Sequence, residues 1–198
     1  RKLPYNVEND FDFLGLVNDV PMTLIGRSTL PANNFAELRK WAADNKGKTN
    51  LANAGVGSAS SLCGMMFQSA LGIDMTTVPY KGTAPAMNDL LGGQVDLMCD
   101  QTTNTTAQIE AKKVKAFGVT SPKRLTTAAL KDIPTLQEVG LKDFQVSIWH
   151  GLYGPKGLPP AVSKKINDAL KLALKDPEFI KRQEGLGAIV VNDSRVEM

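Results

Sequence analysis

Hydrophobic and polar positions alternate along this chain in a repeating order. Three times between Leu51 and Ala111 a short apolar run leads into small and hydroxyl residues and then into a helical pattern. The runs are Thr49–Ala52, Met75–Pro79 and Val95–Cys99. The turns that follow are Asn53-Ala54-Gly55-Val56-Gly57-Ser58, Tyr80-Lys81-Gly82-Thr83 and Asp100-Gln101-Thr102-Thr103. Each turn is expected to end a strand and open a helix. In a parallel α/β sheet such turns gather at one edge, where helix amino termini offer N–H groups and partial positive charge to an anion, most simply a carboxylate.

The same patterning predicts the remaining elements. Phe11–Val17 and Met22–Gly26 read as two extended segments separated by Asn18-Asp19-Val20-Pro21. A helix is expected from about Asn34 to Asn45, capped by Asn33 or Asn34, with Phe35, Leu38, Trp41 and Ala42 in the core. Lys115–Val119 reads as a strand, Leu136–Val139 as a short helix and Phe144–Leu152 as a strand entering Tyr153-Gly154-Pro155. Pro159-Pro160 opens a helix to about Leu174, with Val162, Ile166, Ala169, Leu170 and Ala173 inward and Lys164, Lys165 and Lys171 outward. Asp176-Pro177 starts another helix ending near Gly185 to Gly187, then Ala188–Val191 forms a strand and Asp193-Ser194 begins a helix.

With 198 residues, 42% of them apolar and 22% charged, the chain can bury a core of one or two lobes. A net charge of +3, drawn from intermixed Lys, Arg, Asp and Glu, gives no argument for nucleic acid or an anionic membrane. Lys112, Lys113 and Lys115 read as a solvated helix end. No apolar run is long enough to span a bilayer. Arg1–Asn6 reads as neither a signal peptide nor a domain start. Cys63 and Cys99 fall near the same sheet edge, where a disulfide and two buried thiols are alternatives, the thiols being the plainer expectation. One His and two distant Cys give no metal spacing, and neither metal nor cofactor is expected.

Ordered motifs carry a family likeness. Ala54-Gly55-Val56-Gly57-Ser58, Val78-Pro79-Tyr80-Lys81-Gly82, Asp89-Leu90-Leu91-Gly92-Gly93-Gln94-Val95-Asp96, Ile133-Pro134-Thr135 and Trp149-His150-Gly151-Leu152 together resemble the solute-binding receptors of tripartite tricarboxylate transporters. The resemblance implies an α/β fold of the class II periplasmic-binding-protein type, two lobes joined by crossing strands that close like a flytrap over a small organic acid. It places residues 31–144 in the second lobe and 1–30 with 145–198 in a partial first lobe, with crossings near Ile25–Leu30 and Val146–Tyr153. It also implies a glycine-rich turn and half a lobe ahead of Arg1, and further chain beyond Met198, so the first lobe is expected to be incomplete. A periplasmic receptor that delivers its ligand to a membrane permease follows from the same likeness; a monomer is expected, with association through the truncated lobe as the alternative.

The candidate ligand residues are Gly55, Val56, Gly57, Ser58, Ala59, Ser60, Lys81, Gly82, Thr83, Ala84, Asp100, Thr102 and His150. Ser58 is expected to cap its helix and to offer its hydroxyl beside the N–H groups of Gly57 to Ser60. Thr83 is a second donor or a plain cap, and Lys81 a counter-charge or a solvated head. Asp100 either accepts a ligand hydroxyl or ammonium or caps the helix of Thr105 and Ile109. The hydroxyl run Thr102 to Thr106 alternates between ligand contact and solvated helix start. His150, the single histidine, is structural or a gating contact. No set of nucleophile, base and orienting acid is convincing, so a non-enzymatic receptor leads. Two alternatives remain: a hydrolase with Ser58 or Cys63 activated by His150 and Asp100, and a sensor that reports ligand to a signalling partner.

Overall fold

The computed structural model describes residues 4–197. Arg1–Leu3 and Met198, included in the expected first lobe, lie outside the described residues. The elements run β1 (Phe11–Arg27), α1 (Phe35–Asp44), β2 (Asn50–Asn53), α2 (Ala59–Leu71), β3 (Thr76–Pro79), α3 (Thr83–Leu91), β4 (Leu97–Gln101), α4 (Thr102–Glu110), β5 (Val114–Val119), β6 (Ser147–Pro155), α5 (Pro160–Ala173), α6 (Pro177–Gly185) and β7 (Ile189–Val190), then a 3₁₀ turn at Ser194–Val196. β2 is parallel to β3 and β4, while β1 is antiparallel to β4 and β5, giving the order β3-β2-β4-β1-β5; β6 and β7 also pair with β1.

The two extended segments expected around Asn18–Pro21 are one strand. Asn18 and Asp19 pair with β7, and Met22 to Arg27 pair with β4 and β5. Pro21 falls between these ladders, where its missing N–H interrupts neither. The described chain divides into two units, Val20–Ile148 and a second built from residues up to Asp19 and from Trp149 onward. β1 and β6 each run from one unit into the other.

In the Val20–Ile148 unit, strand alternation sorts side chains to two faces. Leu97 and Cys99 join Met22, Leu24 and Phe117 against Phe35 and Leu38 of α1 and Cys63 and Phe67 of α2. Met98 joins Ile25 and Ala52 against Ala86, Met87 and Leu90 of α3. Asn34 caps α1 by accepting from the Glu37 N–H at 2.9 Å, and Glu37 returns to the Asn33 N–H at 2.7 Å. Trp41, expected in the core, is only partly buried on its rim.

Cys63 and Cys99 are joined in a disulfide, their Cα atoms 6.0 Å apart, in place of the two thiols expected. The face of α2 that carries Cys63 already leans on β4, because the Ser60 hydroxyl donates to the Cys99 carbonyl at 2.6 Å. Lys115 is not part of a solvated helix end. It lies on β5, and its ammonium donates to the carbonyls of Leu30 and Ala32 and to Asn33 Oδ1, at 2.7, 3.1 and 2.8 Å. Leu136–Val139 forms turns rather than a helix. Thr135 and Glu138 satisfy each other's N–H groups as a helix start would, but Gly140, at φ 107°, ends the run before a helix can extend.

In the second unit α5 turns a different face inward than its apolar spacing predicts. Asn167, 2% exposed, donates to the carbonyls of Leu14 and Val196, both at 2.7 Å. A buried amide that satisfies two backbone carbonyls from distant segments fixes the rotation of the helix. Val162, Ala169 and Ala173 are consequently exposed, while Ile166 and Leu170 flank Asn167 half-buried. Asp176 caps α6 by accepting from the Phe179 N–H at 2.8 Å.

Candidate functional site

The site is built at the carboxyl ends of β3, β2 and β4, three neighbouring parallel strands that each feed a helix. After β2, the Gly55 N–H folds back on Asn53 Oδ1 at 2.9 Å, and the Ser58 N–H donates to the Gly55 carbonyl at 3.0 Å. Gly57, at φ 81°, supplies a conformation that a side chain would strain. Ser58 caps α2, its Oγ accepting from the Ser61 N–H at 3.1 Å. Val56, 89% exposed, and Gly57 stand at the surface, whereas Ser60 is buried with its hydroxyl committed to Cys99.

After β3, the Tyr80 N–H bonds the Asn53 carbonyl and the Gly82 N–H bonds the Ala54 carbonyl, at 3.0 and 3.1 Å, so the first two corners are one hydrogen-bonded surface. The Tyr80 hydroxyl donates to Asp89 Oδ2 at 2.6 Å, bracing this turn against α3; that bond above all, with burial, pushes the phenol up to about 12. Gly82 is the cap residue of α3 and Thr83 its first helical residue, which corrects the reading of Thr83 as a plain cap. Lys81 is exposed and makes no ion pair among the described residues. The first-turn N–H groups of Ala59, Ser60, Thr83 and Ala84 have no acceptor among the described residues.

The third corner has no turn. β4 continues through Asp100 and Gln101, and α4 starts directly at Thr102. Asp100 is not the helix cap; that position is Gln101, without a side-chain bond. Asp100 is 3% exposed, with Oδ1 accepting from the Gln101 N–H at 2.9 Å and Oδ2 from Asn104 Nδ2 at 3.2 Å. Burial raises its carboxyl above the usual range, against hydrogen bonds from the Gln101 N–H, Thr83 and Asn104 that pull it down. Asn104 Nδ2 also reaches Thr83 Oγ1 at 3.4 Å, so one amide spans the beginnings of α3 and α4. Thr105 and Thr106 are buried, which corrects the solvated helix start: Thr105 Oγ1 accepts from Thr23 at 2.7 Å, and Thr106 Oγ1 donates to the Thr102 carbonyl at 2.8 Å. Gln101 Oε1 and Thr102 Oγ1 are buried with no partner among the described residues.

The structure thus gathers Gly55 to Ser60, Lys81 to Ala84, Asp100 and Thr102 along one sheet edge. His150 belongs to the other unit, where its Nδ1 donates to Asn18 Oδ1 at 2.7 Å while Asn18 Nδ2 donates to Gln183 Oε1 at 2.8 Å. Cys63 has no thiol to act as a nucleophile. Sequence reasoning missed Gln101 and Asn104. The spacing of Asp100 and Asn104, one helical turn apart, was the available signal for the latter.

Residues 1–196 match the model of the tripartite tricarboxylate transporter family receptor. The chain belongs to that family. A protein of Agrobacterium vitis, encoded in the TAR-I ttuE–ttuC′ intergenic region, is 48% identical over 189 residues, covering 96% of this chain and 54% of the relative. The periplasmic binding protein BugD is 56% identical with a TM-score of 0.87, over 91% of this chain and 60% of BugD. MatC of Rhodopseudomonas palustris, solved with bound malate, is 35% identical with a TM-score of 0.87, over 96% of this chain and 64% of MatC. A second R. palustris protein, solved with adipate, is 26% identical with a TM-score of 0.91, over 98% and 64%. The receptor chain therefore spans about half the length of the Agrobacterium relative and less than two thirds of these structures. The mixed α/β fold is that of a periplasmic binding protein, and the receptor family and these neighbours bind solutes.

Proposed function

We propose that this chain captures a small organic acid by its carboxylate, as part of an extracytoplasmic receptor that delivers the acid to a tripartite tricarboxylate-type permease. The observation that carries this reading is the alignment of α2 and α3 at the ends of β2 and β3, with open N–H groups on Ala59, Ser60, Thr83 and Ala84. Two helix amino termini aimed at one edge supply about half a positive charge each. They hold an anion without any catalytic group. Ser58 and Thr83 add hydroxyls, Gly55, Val56, Gly57 and Gly82 shape the backbone, and Lys81 supplies mobile positive charge.

Malate and adipate, bound by two structural neighbours, are both carboxylic acids. The disulfide accords with an oxidising periplasm. In this reading residues 31–144 act as the second lobe, and 1–30 with 145–198 as part of the first. Thermal denaturation of the chain with a panel of organic acids tests it. An acid at a hundredfold excess over its Kd adds about 2.7 kcal/mol of stability, a rise in Tm of about 5–11 °C for a chain of this size. The rise is expected to vanish in Ser58→Ala with Thr83→Ala. No rise with any acid overturns the proposal.

A further inference from the structure

Two corners of this edge donate hydrogen bonds, but the third accepts them. Gln101 Oε1 can only accept, and it is buried without a partner among the described residues. Thr102, fully buried at the first position of α4, holds a second unpartnered oxygen. Beside them Asp100 carries a buried carboxylate, and the Thr83 hydroxyl bonds to it. Buried polar atoms in native proteins are almost always satisfied, so two adjacent orphans at a binding edge require a reason.

Strand alternation places these groups with respect to the donors. Gln101 shares its face with Cys99, the face on which α2 packs and to which Ser60 is bonded. Asp100 shares its face with Met98, the face of α3, and Asn104 ties it to Thr83. Each run of open N–H groups therefore has an acceptor on its own face of the sheet. A plain carboxylate satisfies the donors and leaves Gln101 Oε1, which can only accept, unmet.

Resting on the proposed carboxylate site, we infer that Gln101 and Thr102 read a hydrogen-bond donor on the ligand, so that the preferred acid carries a hydroxyl or an ammonium group beside its carboxylate. Both oxygens reach satisfaction when such a donor is present. An unsubstituted acid leaves at least one of them buried and unpaired, which is the arrangement that gives a binding site strong discrimination.

Isothermal titration of the full chain with two matched series tests this: succinate, malate and aspartate, then adipate and its 2-hydroxy and 2-amino counterparts. In at least one series a substituted acid is expected to bind ten-fold or more tighter than its parent. The hydroxyl and amino arms tell which donor is read. Gln101→Met and Thr102→Val remove the oxygens at nearly constant volume and are expected to reduce that preference to three-fold or less. Thr102→Val breaks no hydrogen bond of the fold, so its Tm is expected to be unchanged; a change in preference is then not a folding effect. Parent acids that bind as tightly as their substituted forms overturn the inference while leaving the carboxylate site standing. A preference that both variants retain also overturns it, assigning the two oxygens to buried water instead. Failure of all six acids to bind overturns it together with the carboxylate site.

Discussion

The disulfide between Cys63 and Cys99 is the feature whose energetic weight can be worked directly from the structure. It closes a sequence separation of 36 residues, joining the second turn of α2 to the core of β4. In the chain-entropy treatment a loop of this length costs the unfolded ensemble about 13 cal/mol/K, or about 3.8 kcal/mol at 25 °C. For a chain of this size each kcal/mol moves Tm by about 2–4 °C. Oxidised protein is therefore expected to melt about 8–15 °C above the same protein unfolded and refolded in reductant. Both sulfurs are buried, so reductant added to the native protein is expected to act only as the chain opens. The double variant Cys63→Ala, Cys99→Ala is expected to fall lower still than reduced wild type, because it also empties two packed positions. Calorimetry of the three forms separates cross-link from packing. Oxidised and reduced wild type melting within 2 °C of each other would refute the reasoning, and would mean that the unfolded chain already holds α2 near β4.

Two further predictions concern titration. Burial raises the Asp100 carboxyl in the folded chain, so the fold binds this proton more tightly than the unfolded chain does. The contribution is present below the ordinary carboxylate pKa and is lost as pH rises through the folded value. Urea denaturation from about pH 3 to 7 is expected to show wild type losing stability relative to Asp100→Asn as pH rises, and a flat or rising difference refutes it. For Tyr80, bonded to Asp89 and pushed up to about 12, ultraviolet titration is expected to show one of the three tyrosines ionising there. Tyr80→Phe removes that component and Asp89→Asn brings it down. Folded stability from this group is correspondingly lost as pH climbs from the ordinary phenol value toward 12, and a titration near 12 that persists in Tyr80→Phe refutes the assignment.

Local chemistry made the first corner legible. Asn53, Gly55, Gly57 and Ser58 are residues whose side chains, or lack of them, dictate a turn and a helix start, and nothing distant alters that choice. The parallel order of β2, β3 and β4 followed from the alternation of short apolar runs with helical patterns. Where the reading failed, a distant partner decided. Asn167 fixes the inward face of α5 through carbonyls 153 and 29 residues away, and Lys115 is held by three oxygens more than 80 residues back. Periodicity carries no record of such partners.

The third corner shows why the part of the site proposed to distinguish one acid from another was the hardest to see. Asp100-Gln101-Thr102-Thr103 consists of residues that favour turns and caps, so local propensity points to a loop. The structure instead pairs Asp100 with Thr23 and Gln101 with Met22 of β1, which extends the strand to the first residue of α4. That extension removes the loop that would have exposed Gln101 and Thr102 to water and carries their oxygens under cover. β1 thus makes no proposed contact with the ligand, yet it determines which atoms at this edge are left to be satisfied. A slip of β4 by one residue against β1 and β2 would turn Gln101 to the face now held by Asp100. The acid that such a receptor selects would change with it, while the two donor corners, built from local turns, would be unaltered.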